Sequence, residues 1–95
     1  MYKAEKIRNK ESWFRTIKPG IVAKGKLPSY GSITSLNVQL TRYNRSIGKE
    51  RGVFIHAKYL YDELCVILVG VTIEQRKKEL ADPGYKNEWR KMIKV

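Results

Sequence analysis

A chain of 95 residues has the length of one domain, and 42% apolar, 11% aromatic and 31% charged residues is globular composition. Twenty Lys and Arg against nine Asp and Glu give a formal net charge of +11, so the expected partner is a polyanion, nucleic acid by default. The composition excludes a disordered tail, and the longest apolar run, Leu64 to Ile73, is about half of what a membrane helix needs. No membrane partner is therefore expected. Met1 to Lys10 offers no apolar h-region of a secretory signal. Cys65 stands alone, which rules out an internal disulfide and a four-ligand thiolate zinc site. A reducing cytoplasmic home follows as an expectation, and no cofactor or metal is called for.

The first eighteen residues fit neither a helical nor a strand period. They read as a short irregular or helical start and a strand near Trp13–Lys18, closed by the turn residues Pro19-Gly20. Ile21–Leu27 reads as a strand with Lys24 and Lys26 on one face, and Pro28–Ser32 as a turn. In Leu36–Tyr43, Leu36, Val38 and Leu40 alternate with Asn37, Gln39 and Thr41, the pattern of a half-buried strand. Gly52–Ile55 is a second strand. The polar, Gly-containing segment Asn44–Arg51 between them then becomes the tip of a long basic hairpin.

Ala57–Leu64 reads as a short helix with Leu60 and Leu64 one turn apart. Cys65–Val71, apolar and rich in β-branched residues, reads as a central strand buried on both faces. Thr72 and Gln75 fit a capping box, which predicts a helix over 73–81 stopped by Asp82-Pro83-Gly84. Tyr85, Trp89, Met92 and Ile93 have the spacing of an amphipathic C-terminal helix. The expected fold is a single α+β domain over 1–95, a small antiparallel sheet with a basic hairpin and two helices at the C-terminal end.

Charge is distributed unevenly along this scheme. Residues 1–51 carry a net +9, residues 52–75 a net −2, and residues 76–95 a net +4. The apolar middle is the core, and the basic segments face outward. Within 42–51, Arg42, Arg45, Lys49 and Arg51 supply phosphate donors, Tyr43 a ring for stacking, and Asn44 and Ser46 neutral hydrogen bonds. The bland alternative is a solvated loop that is basic because the protein is basic. Arg76, Lys77 and Lys78 form a weaker candidate, since cations near a helix N-terminus oppose the dipole.

For catalysis the residues offer little. His56 at a strand end has no partner motif and reads as structural. A metal-independent ribonuclease could use it with Tyr59, Lys or Arg. Asp62 and Glu63, adjacent on a helix, point apart, and no phosphate loop, GxGxxG or GxSxG is present. Cys65 reads as an inert core thiol.

Arg42-Tyr-Asn-Arg-Ser46 with Gly52-Val-Phe-Ile-His-Ala-Lys-Tyr-Leu-Tyr-Asp-Glu-Leu64 resembles the strand-and-short-helix run of AbrB/MazE-type swapped-hairpin regulators. That resemblance implies a basic strand pair that binds DNA as a homodimer. The chain departs from the family by the extra residues 47–51, by His56-Ala57 in place of Ile-Pro, and by lacking the later Gly-Asp turn.

The expected function is nucleic-acid binding through electrostatic backbone contacts, DNA slightly favoured over RNA, as a regulator or accessory factor. The binding residues would be Arg42, Tyr43, Asn44, Arg45, Lys49, Arg51, Arg76, Lys77 and Lys78. Size and charge also suit a phage or mobile-element protein. One rival is an inhibitor that binds a target protein through its basic face, and the other is the ribonuclease.

Overall fold

An uninterrupted apolar run leaves a strand no face that tolerates water. In the computed structural model, which describes residues 4–6 and 10–93, that run becomes the interior strand of a four-stranded sheet. The sheet comprises β1 (Ala4–Lys6), β2 (Val22–Lys26), β3 (Val53–Leu60) and β4 (Cys65–Thr72) in the order β1-β2-β4-β3. β4 pairs antiparallel with β3 from Val53↔Thr72 to Leu60↔Cys65, and antiparallel with β2 from Val22↔Val69 to Lys26↔Cys65. β1 lies parallel to β2 at the outer edge. With helices on both sides this is an α+β domain, as its sequence predicts.

Alternate residues of β4 serve two cores. Val66 and Leu68, with Val53 and Ile55, meet Phe14, Ile17, Leu36, Leu40 and Tyr43. These come from a layer made of α1 (Lys10–Thr16), α2 (Gly31–Arg45) and α3 (Ile47–Arg51). On the opposite face Ile67, Val69 and Val71 meet Trp89, with Phe54, Val22, Met92 and Ile93 around them. This second layer holds α4 (Ile73–Ala81) and the 3₁₀ turn Glu88–Met92. Gly70 is required at the crossing of β4 and the α1–β2 loop. A Cβ there would lie 2.2 Å from the Lys18 carbonyl oxygen.

β2, β4 and α4 form where the sequence predicts them. Thr72 Oγ1 accepts a hydrogen bond from the Gln75 backbone N–H at 3.0 Å, and α4 runs from Ile73 to Ala81. The structure differs where a short stretch of sequence fits two periods. Leu36–Tyr43 is the middle of α2 and not a strand, because the buried positions are Ile33, Leu36, Leu40 and Tyr43. That spacing is helical, and Val38, the residue that suggested alternation, is 45% exposed. With no strand on that side there is no basic hairpin. Asn44–Arg51 is the end of α2, a break at Ser46, and α3.

The sheet's actual hairpin is β3–β4, joined through the 3₁₀ turn Tyr61–Glu63. Ala57–Leu60, expected in a helix, extends β3 instead, giving the eight residues of β4 a partner of equal length. The strand expected near Trp13–Lys18 is mostly α1, which buries Phe14. The C-terminal amphipathic segment forms turns and a 3₁₀ helix, with Trp89 buried. The residues that resemble AbrB/MazE-type regulators accordingly divide between a helix end and an edge strand, with no basic strand pair.

Candidate nucleic-acid interface

The last turn of α2 and the whole of α3 bring four of the predicted cations into one region. Arg42, Arg45, Lys49 and Arg51 are all exposed. Arg42 and Arg45 sit where the helix presents its unpaired carbonyls, a favourable place for positive charge. The Ser46 hydroxyl donates to the Arg42 carbonyl at 2.8 Å, and Gly52 ends α3 in the left-handed region with φ 74°. Among the described residues, none of these four cations forms an ion pair with a carboxylate.

Two residues predicted to touch the ligand have structural duties instead. Tyr43 is 4% exposed, packs edge-on against Phe14 with centroids 5.4 Å apart, and accepts a 2.6 Å hydrogen bond from Arg51 Nη1. It cannot offer an open ring face. The Asn44 side chain reaches β3, donating from Nδ2 to the Ile55 carbonyl at 3.0 Å and accepting the Ile55 N–H at 2.9 Å. Beside the cations opens a cleft of about 210 Å³ lined by Glu11, Phe14, Gln39, Arg42, Tyr43, Ser46 and Ile47.

Arg76, Lys77 and Lys78 do not join this group, because α4 lies across the sheet. Arg76 is half-buried, its Nη1 3.6 Å from Glu79 Oε1 and its guanidinium 4.1 Å from the Phe54 ring centre. Lys78 lies over the Tyr85 ring at 4.3 Å. Lys77 is exposed.

The sequence reading missed the cluster around His56. Its Nε2 lies 2.8 and 3.0 Å from the two carboxylate oxygens of Glu79, a residue only 3% exposed. The imidazole stacks on Trp89, 4.4 Å apart and 3° from parallel, with Phe54 against its edge. Burial pushes the His56 pKa below its usual 6.5; the bond and charge of Glu79 oppose this, and Arg76 and Arg90 reinforce it. The lowered pKa favours the neutral ring, and beside a carboxylate the proton of that ring belongs on Nε2, which then donates to Glu79.

His56 and Tyr59 occupy opposite faces of β3, so they do not share a site. Tyr59 packs with the α1–α3 core and donates from Oη to Asn37 Oδ1 at 3.3 Å. Burial, then the neighbouring Tyr61, raises its pKa above 10.0. Asp62 and Glu63 lie exposed on the 3₁₀ turn, with Glu63 3.7 Å from Lys24. Cys65 is buried, its Sγ 3.4 Å from the Glu63 carbonyl. No described helix is long and apolar enough to cross a membrane. No protein-family model matches the chain, and comparison with curated proteins and with solved structures returns no match.

Proposed function

We propose that the protein binds nucleic acid, with Arg42, Arg45, Lys49 and Arg51 contacting the phosphate backbone. The observation that carries this reading is that, among the described residues, these four exposed cations pair with no carboxylate. Bringing phosphates to such a cluster releases counterions and costs the protein no ion pair. The protein would act by binding, as a regulator or accessory factor. A cytoplasmic site of action suits its single cysteine, a buried thiol.

The test is affinity for a labelled oligonucleotide as salt rises from about 50 to 200 mM. Log affinity should fall linearly with log salt. Arg45→Glu/Lys49→Glu should lose affinity, whereas Lys77→Glu/Lys86→Glu, with the same charge change across the sheet, should lose much less. Equal losses would mean that binding follows net charge and not this region. No binding by the unaltered protein would end the reading.

A further inference from the structure

The cleft beside the cations has a lining that phosphate binding does not require. Ile47 gives it apolar surface while the buried Phe14 and Tyr43 reach it only at their edges, Arg42 supplies N–H donors, and Gln39 carries both a donor and an acceptor. Glu11 also lines it. A carboxylate in a phosphate-binding region repels the ligand's backbone unless it accepts hydrogen bonds from another part of the ligand. Its ion pair is loose, 4.0 Å to Arg15 with both side chains more than half exposed. Gln39 Nε2 donates to Ser35 Oγ at 3.2 Å, which leaves its carbonyl oxygen to face a ligand.

Small-molecule sites commonly enclose about 300–1,000 Å³, so 210 Å³ suits one ring system and little more. A nucleobase has apolar faces, a polar edge of donors and acceptors, and a phosphate a short reach away. In a duplex that edge is already paired. We propose that this cleft receives one unpaired base of a bound strand, Glu11 and Gln39 hydrogen-bonding its edge while the neighbouring cations hold the backbone. The proposal rests on the nucleic-acid reading and adds to it a preference for single strands.

Glu11→Gln separates the two ideas by sign. Removing a negative charge should strengthen any purely electrostatic binding. If Glu11 accepts from a base, the variant should instead bind a mixed-sequence single strand of about 12 nucleotides roughly tenfold more weakly. Its affinity for the duplex of that sequence should hold or rise. Gln39→Ala, which leaves the charge unchanged on an exposed position of α2, should also weaken strand binding and spare the duplex. Thermal melting checks that both variants fold. A stronger or unchanged affinity of both variants for the strand would overturn the base slot and leave the phosphate reading standing. So would a preference of the unaltered protein for the duplex. Absence of binding to strand and duplex alike would remove both.

Discussion

The two layers that cover the sheet are both rich in cations, yet they use them differently. In the α4 layer several of the positive charges have partners within the fold. Arg76 lies between Glu79 and the Phe54 ring, Lys78 lies over Tyr85, and Lys91 pairs with Glu88 at 3.1 Å. In the α1–α3 layer Arg42, Arg45 and Lys49 stand outside a core completed by Phe14, Leu36, Leu40 and Tyr43, and they touch no carboxylate among the described residues. Counting charges along the chain makes the two regions look alike. What distinguishes Arg76, Lys78 and Lys91 from Arg42, Arg45 and Lys49 is that folding has already supplied the first three with a partner.

The comparison is tested most severely in β4, where neighbouring residues serve opposite layers. Leu68, fully buried, faces the α1–α3 core, and Val69, also fully buried, faces Trp89. Leu68→Ala should destabilise by about 2–5 kcal/mol, measured by the urea midpoint. Val69→Ala removes fewer atoms and should cost less. If Val69→Ala proves the more damaging, the thinner layer is the more tightly packed of the two.

Glu79→Ala comes next. It leaves the His56 N–H without its acceptor and Arg76 without its nearest carboxylate, at a cost of roughly 2 kcal/mol. Arg45→Ala, the matching deletion in the other layer, should stay within about 0.5 kcal/mol. Equal effects by thermal or urea unfolding would erase the distinction between built-in and unpartnered charge.

The smallest expected effect is in pH. Because burial lowers the pKa of His56 below 6.5, the unfolded chain takes up a proton that the folded chain refuses. The folded state is thus favoured above about pH 6.5, and that advantage is lost as pH falls from there through the lowered folded value. Comparing urea midpoints for the unaltered protein and His56→Gln cancels the contributions of other groups. The difference should shift against the unaltered protein on acidification, and a constant difference would show that the histidine does not titrate in this way.

These contrasts mark what the chain reveals before it folds. β4 was legible because seven apolar residues in a row have few other fates, and α4 because a Thr cap announces where a helix starts. α2 was not, since Leu36, Val38 and Leu40 satisfy a strand period as well as part of a helical one. Ile33 and Tyr43 decide for the helix, and they lie at or beyond the ends of that short window. β3 was misread at Ala57–Leu60 because its length is fixed by β4, a partner further along the chain. The basic character of 42–51 was legible, whereas the division of labour within it was not. Tyr43 and Asn44 look like ligand contacts until α1 and β3 arrive to occupy them. Likewise the His56–Glu79 pair spans two elements whose meeting no local pattern announces.

Asn44 has one more consequence. β3 is an edge strand, and an open edge invites another chain to add itself and continue the sheet. The Asn44 amide offers Ile55 the donor and acceptor that an incoming strand would bring. Close by, a Cβ on Gly48 would come within 2.7 Å of the Val53 carbonyl oxygen, so α3 lies hard against the start of the same edge. The side chain therefore works as a doorstop. It closes the first part of the edge, at Ile55, to the intermolecular strand pairing that leads to aggregation.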